Sequence, residues 1–361
     1  MTRAFGNRPP LRPSELLIPT PAGLYCPPAD IHIDPVRPVA RALITHGHSD
    51  HARAGHGAVL ATSETLAIMA LRYGEAFTGS QQVALPGETV RIGAVDFRFV
   101  PAGHVLGSAQ VIVEHKGLRI VVSGDYKRER DPTCAPFEPV ICDVFITEAT
   151  FGLPVFRHPP ADAETAKLLD SVRLFPDRTH IVGAYSLGKA QRLMALIREA
   201  GYERPLFIHG AVEKITELYQ AEGIPLGDVR KIDPGERKAL AGEIVICPPS
   251  AIQDLWSRRF PDPVTAFASG WMRVRARARQ KGVELPLIIS DHADWDDLQA
   301  TIREVQAGEI WITHGEAEAL AHWCGTAGLK GMPLHLVGYG DEGDSEPEGK
   351  PAEASSAEAA P

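Results

Sequence analysis

Six consecutive residues constrain this chain more than any other stretch: His46-Gly47-His48-Ser49-Asp50-His51. They follow an apolar run, Ala42-Leu43-Ile44, which reads as a buried strand. Three imidazoles and a carboxylate then arrive with almost no spacer, and these are ligand types that hold zinc, manganese and iron. Side chains two apart in an extended segment point the same way, so His46 and His48 can reach one ion together. Asp50 and His51 fall where the chain turns and aim at a neighbouring point. The pattern therefore predicts two adjacent metals. A histidine-rich surface loop is the plain alternative, and the HxHxDH order directly after a strand argues against it.

HxHxDH resembles the metal-binding motif of the metallo-β-lactamase fold. Further ligands should then follow downstream. His104, in Ala102-Gly103-His104, and Asp125, in Ser123-Gly124-Asp125, each come just after an expected strand. Strand ends on a rigid sheet are where active-site groups commonly sit. A lone His or Asp there is more often a turn residue, but these two stand in the order that the resemblance requires of ligands. Asp34, ahead of Pro35, matches a position where that fold often carries a supporting carboxylate, whose role would be to orient a ligand. A turn-forming Asp-Pro is the other reading.

The length, 361 residues, suits two domains. Hydrophobic residues make up 44% and charged residues 23%, enough for a sizeable core. No run of 18 apolar residues exists, so no membrane span is expected, and the N-terminus shows no apolar signal-peptide core. Five scattered cysteines, Cys26, Cys134, Cys142, Cys247 and Cys324, form no CxxC pair and imply reduced thiols in a cytoplasm. Net charge is −9, but the stretch from Asp341 to Pro361 holds seven acids and one base, leaving −3 for the rest. A nearly neutral body can still present a basic groove, so a polyanionic substrate is not excluded.

Short strands are expected at Leu24–Cys26, Ile31–Ile33, Ala42–Thr45 and Ala58–Thr62, then a helix over Ser63–Tyr73. Two hairpins follow, Val90–Ile92 with Phe97–Val100 and Gln110–Glu114 with Leu118–Val122, each turning at a glycine. A strand at Ile141–Thr147 ends at Glu148. From about 160 to 270 helix and strand alternate, with Asp162 capping the first helix. This implies a largely parallel sheet in an inserted domain. Arg273, Arg275, Arg277, Arg279 and Lys281 form a basic run: a strand would align the charges on one face, a helix would spread them. Leu285–Ile289 leads to His292, a helix capped by Asp294 follows, Glu309–Ile312 leads to His314, and Leu334–Val337 is the last strand. After Tyr339 the composition predicts disorder.

The set His46/His48/Asp50/His51, His104, Asp125, Glu148, His292 and His314 resembles the β-CASP branch of the metallo-β-lactamase family, nucleases acting on DNA or RNA. The resemblance is narrower in Leu24–Pro27, Ile33–Pro35, Thr147–Pro154 and Ser269–Arg277, which look like the bacterial DNA exonucleases encoded beside an ATP-dependent DNA ligase. It implies a metallo-β-lactamase αββα sandwich with an inserted β-CASP-like α/β cap domain. Residues 1–20 would be a surface segment, 21–155 and 286–340 the sandwich, 156–285 the cap and 341–361 an acidic tail. His46, His48, His104 and Asp125 would hold one divalent ion, zinc or manganese. Asp50, His51, Asp125 and His314 would hold the second. His292 would contact phosphate and assist the leaving oxygen, Glu148 would orient it, and Asp50 would steer a proton. Ser186, Lys189, Arg273 and Arg275 are expected at backbone phosphates. His56, His158, His180, His209, His322 and His335 read as surface or satisfied interior residues.

The expected activity is a two-metal DNA exonuclease in repair, because paired cations activate a water and offset charge on the phosphorus oxygens. DNA, as single strands or duplex ends, is the expected partner, and the family's genomic company implies a ligase and a helicase. An RNA-processing nuclease shares the whole metal set. A thioester or lactam hydrolase is disfavoured by the insertion and by Glu148, His292 and His314. A non-catalytic module would have lost ligands.

Overall fold

The computed structural model describes residues 11–336, apart from 86, 234 and 236–238. The expected acidic tail lies outside the described residues. Nineteen strands fall into three sheets among those residues.

The first sheet takes its strands in sequence order: β1 Ile18–Thr20, β2 Gly23–Cys26, β3 Ile31–Ile33, β4 Arg41–Leu43, β5 Ala58–Ala61 and β6 Gln81–Val83. The second begins with β7 Val90–Ile92, β8 Val95–Pro101, β9 Ala109–His115, β10 Leu118–Val122 and β11 Val144–Thr147. The chain then leaves it to build a third sheet from β12 His180–Gly183, β13 Leu206–Ile208, β14 Val229–Lys231, β15 Ile244–Cys247, β16 Val264–Ala268 and β17 Leu285–Leu287. It returns with β18 Glu309–Ile312, parallel to β11, and β19 Gly331–Pro333 beyond it.

The first two sheets pack face to face. Alternation in β8 turns Val95, Phe97 and Phe99 inward, where they meet Leu24, Ile33, Leu43 and Leu60 of the first sheet. The outer faces are covered by helices. Leu66 and Met69 of Ser63–Tyr73 pack on Ala42, Val59 and Ala61, while Leu298 and Ile302 of Trp295–Glu304 pack on Ile112 and Phe145. The result is an αββα sandwich. The third sheet is parallel throughout, in the order β14-β13-β15-β12-β16-β17. Its central strands, His180-Ile-Val-Gly and Ile244-Val-Ile-Cys, are buried at every position because helices cover both faces.

Several expectations need correction. Leu16 and Leu17, at the end of the short helix Pro13–Leu16, are fully buried in the sandwich core, and β1 follows in the first sheet, so this part of the N-terminal segment is not surface. The proline and arginine around them hid that pair. Asp162 does not cap its helix: Pro160 holds the cap position, and Asp162 lies in the first turn, where the helix dipole favours an acid. The basic run, for which strand and helix were both open, is helical, a 3-10 turn at Gly270–Arg273 followed by Arg275–Lys281, so its charges are spread around the axis. The last strand among the described residues is Gly331–Pro333, just before the expected Leu334–Val337, whose Val337 lies outside the described residues. Edge strands β6 and β14 carry no alternating apolar pattern and gave no signal.

Candidate metal centre

Strand ends converge at one edge of the sandwich. The chain after β4 brings His46, His48, Asp50 and His51; β8 leads to His104 and β10 to Asp125. Glu148 follows β11, His292 follows β17 and His314 follows β18. One ligand atom each from His46, His48, His104 and Asp125 lies within 4.8 Å of the others, a group that could hold a metal ion. Asp125 Oδ2 is 3.5 Å from His46 Nε2, 3.5 Å from His51 Nε2 and 3.9 Å from His104 Nε2, so one carboxylate faces both halves of the cluster. Asp50 Oδ2 stands 3.7 Å from His51 Nε2, and the His51 and His314 rings are 5.3 Å apart. Gly124 makes the approach possible: a Cβ there would lie 2.8 Å from Thr45 Oγ1, and its φ of +57° suits glycine.

Each imidazole has its outer nitrogen committed. Thr45 Oγ1 donates to Asp34 Oδ2 at 2.6 Å and lies 3.0 Å from His46 Nδ1, so it is placed to accept from that ring. His51 Nδ1 donates to the same Asp34 Oδ2 at 2.9 Å. Thr313 Oγ1 lies 2.7 Å from His314 Nδ1, and His292 Nδ1 lies 2.9 Å from Glu148 Oε2. His48 Nε2 donates to the Leu187 carbonyl at 3.3 Å and His104 Nδ1 to the Asp291 carbonyl at 2.8 Å. A carbonyl can only accept, so the protons on these two rings sit outward. His48 Nδ1 and His104 Nε2 are then left facing each other at 2.9 Å. Two nitrogen lone pairs that close repel unless a cation or proton sits with them. Buried His46 Nε2 likewise has no hydrogen-bond partner among the described residues. The donor set fits a divalent ion.

The electrostatics of His46, His104, His314 and Asp125 agree with that fit, while His51 without an ion holds a proton. Burial, with the nearby His51 charge, drives His46 well below its ordinary pKa. Burial, with His292, lowers His104 to about 4, and burial, with His51, lowers His314 to about 4. All three stay neutral, the form that binds metal. Burial alone would raise Asp125, but His51 outweighs it and holds the carboxyl well below the usual range. Burial would also lower His51, and Asp125 with Asp50 reverses that, leaving it well above its ordinary value.

The residues expected at phosphates fare differently. Arg273 and Arg275 are exposed, and Ser186 is half-buried on the turn after β12. Lys189 is not available as a surface phosphate contact: it is 3% exposed and its Nζ lies 3.0 Å from Asp291 Oδ1. Its place at the buried start of Lys189–Glu199 explains the difference. Asp34 Oδ2 lies 2.9 Å from His51 Nδ1, within reach to orient that ring. Thr45, Thr313, Asp291 and the Leu187 carbonyl were missed. One signal was present, since Thr-His-Gly occurs twice, at 45–47 and 313–315, and both threonines hold the next histidine. His158 is not a satisfied interior residue: both ring nitrogens are buried without a hydrogen-bond partner among the described residues, beside Phe151.

Sandwich and site together define a protein of metallo-β-lactamase fold. Residues 28–183 match the metallo-beta-lactamase superfamily, and the chain carries a metallo-β-lactamase domain. A "Probable DNA ligase" of Opitutus terrae is 30% identical over 320 residues, covering 86% of this chain and 30% of that protein. "Endoribonuclease ysh1" of Aspergillus fumigatus is 38% identical over 104 residues, 27% of this chain and 12% of that one. "Cleavage and polyadenylation specificity factor subunit 3" of Dictyostelium discoideum is 33% identical over 112 residues, 30% and 14% of the two chains. The chain thus spans less than a third of the length of these relatives. A crystal structure of a protein of unknown function from Enterococcus faecalis superposes with a TM-score of 0.53 at 14% identity, covering 75% of this chain and 74% of that one, and shares the fold. No helix among the described residues is long and apolar enough to cross a membrane.

Proposed function

We propose that this protein is a two-metal phosphodiesterase of the β-CASP type, acting on DNA ends as an exonuclease in cytoplasmic DNA repair. The observation that carries the reading is the pair Glu148–His292 set against the cluster, with the His292 ring 4.6 Å from that of His104. A proton-handling histidine beside a cation site is what a phosphodiester needs at its leaving oxygen. DNA is favoured over RNA because the ligase-named relative matches across 86% of the chain, third sheet included. The endoribonuclease-named relatives match over about a third or less, and they support RNA as the second reading. That ligase name also supports association with an ATP-dependent DNA ligase; a helicase remains the further expected partner.

In this reading the sandwich is the catalytic body, and the inserted third sheet with its helices, through its last strand Leu285–Leu287, is a cap. His46, His48, His104 and Asp125 hold one ion, zinc or manganese, and Asp50, His51, Asp125 and His314 the other. When bound, divalent ions supply the positive charge that activates water and offsets charge on the phosphoryl oxygens. His292 Nε2 offers a proton to the leaving oxygen, and Glu148 Oε2 carries the balancing charge. Asp50 steers the proton of the attacking water. Arg273 and Arg275, with Ser186, meet backbone phosphates.

The test uses end-labelled single-stranded DNA, duplex DNA and RNA of one sequence, with manganese or zinc, and a His46→Ala/Asp50→Ala control. Stepwise mononucleotide release from DNA that the control lacks is the expected result. Preferential RNA cleavage would move the protein to the second reading. Inertness on all three, in protein carrying two metals, would refute both and direct attention to thioesters and lactams.

A further inference from the structure

Two ligands of the four-residue cluster differ from the others in what holds them. His46, His51 and His314 lean on Thr45, Asp34 and Thr313, all within the sandwich. His48 leans on the turn after β12 of the third sheet, and His104 leans on Asp291, which that turn contacts through Lys189. The Leu187 carbonyl accepts from His48 Nε2 at 3.3 Å. Two residues on, Lys189 Nζ lies 3.0 Å from Asp291 Oδ1, and the carbonyl of the same Asp291 accepts from His104 Nδ1 at 2.8 Å. Between them, Gly188 has a φ of +83°, and a Cβ there would overlap Val105, the neighbour of His104. Three consecutive residues of one turn therefore reach two ligands.

We infer that Lys189 is a positioning residue: it anchors Asp291, and through it the turn 187–189 couples the third sheet to metal binding at His48 and His104. The inference rests on the reading that His46, His48, His104 and Asp125 hold an ion. Lys189 and Asp291 are 3% and 1% exposed, so water does not screen the pair. Coupling of this kind is reciprocal: a docked turn raises metal affinity, and a bound ion holds the turn.

The test compares full-length wild type with Lys189→Met, Lys189→Arg and Lys189→Met/Asp291→Asn. Affinity is read by cobalt titration and zinc–chelator competition, and order in residues 185–191 by hydrogen exchange with and without metal. Lys189→Met should weaken one ion by roughly 10- to 100-fold, the usual cost of losing an outer partner. It should also alter the cobalt spectrum, and Lys189→Arg should restore both. The double variant leaves no unpaired buried charge and so keeps its fold, and its affinity should stay low. Metal should slow exchange in 187–191 of wild type and less so in Lys189→Met. Wild-type affinity in Lys189→Met and the double variant, with exchange indifferent to metal, would overturn the inference while leaving the metal site standing. A wild type that binds no metal would overturn the site itself, and the inference with it.

Discussion

Replacing Asp34 by asparagine should remove one of two metals while sparing the fold. Asp34 is 4% exposed and accepts three hydrogen bonds: from Thr45 N at 2.8 Å on Oδ1, and from Thr45 Oγ1 at 2.6 Å and His51 Nδ1 at 2.9 Å on Oδ2. Its φ is +44°, a region asparagine tolerates, so the backbone is not strained by the change. The asparagine carbonyl keeps the bond from Thr45 N. Its amide then faces His51 Nδ1 with a donor where an acceptor stood. A ring that binds an ion is neutral, and in the variant Nδ1 must accept, so its one proton is driven to Nε2, the atom that faces Asp125 and Asp50. An ion bound there has to displace that proton without Asp34 drawing the other. Loss of such an outer partner costs about 10- to 100-fold in affinity, or about 1.4–2.7 kcal/mol. The assay is metal content after dialysis against a buffered ion, paired with a thermal melt. One ion instead of two, with a melt near wild type, is expected. Asp34→Ala should differ by melting much lower, because the buried Thr45 N–H loses its acceptor at about 1–3 kcal/mol. Two ions held by Asp34→Asn at wild-type affinity would refute the tautomer argument.

Glu148→Gln preserves shape and the bond from Tyr126 N but turns a donor toward His292 Nδ1, so kcat on DNA should fall by about 10²- to 10⁴-fold with metal content and KM little changed. His158 is pushed down to about 3 by burial first and then by Lys127 and His292, whereas the unfolded chain protonates it near 6.5. The unfolded state therefore binds more protons between these values. The stabilisation is fully present above pH 6.5 and is lost on acidification at up to about 1.4 kcal/mol per pH unit, so His158→Phe should flatten the fall in urea midpoint from pH 7 to pH 5. Arg273→Ser and Arg275→Ser should each reduce the slope of log affinity against log salt by roughly 0.7–0.9, and an unchanged slope would remove those residues from the interface.

Much of the sandwich was legible because its strands alternate and its turns carry glycine, as in Val95–Pro101 and Lys116-Gly117. The metal motif was legible because its residues are adjacent in sequence. What escaped was held by contacts far apart along the chain. Asp291 meets His104 across 187 residues, and Leu187 meets His48 across 139, so no local spacing records them. Lys189 looked like a phosphate contact because a lysine at a strand-to-helix turn is normally exposed. Here the surrounding helix, Lys189–Glu199, is buried through Ile197, and the ammonium finds Asp291. Leu16 and Leu17 escaped for the opposite reason: an apolar pair within a proline- and arginine-rich stretch is too short to show a period.

The division between local and distant support has a consequence for how the site forms. A histidine ligand must present one chosen nitrogen, and something must hold the other. In Thr45-His46-Gly47 and Thr313-His314-Gly315 the preceding residue does this, so ring orientation is established as soon as the local chain is ordered. Asp34 extends the same arrangement, accepting directly from His51 Nδ1 as well as from Thr45 Oγ1. These three ligands need only the sandwich. His48 and His104 cannot complete their orientation until the turn 187–189 is seated, since their acceptors are the Leu187 carbonyl and a carbonyl of Asp291, which Lys189 secures. The facing nitrogens of these two rings are then 2.9 Å apart, an arrangement that a cation between them relieves. Metal affinity and the seating of the third sheet are thus two views of one equilibrium.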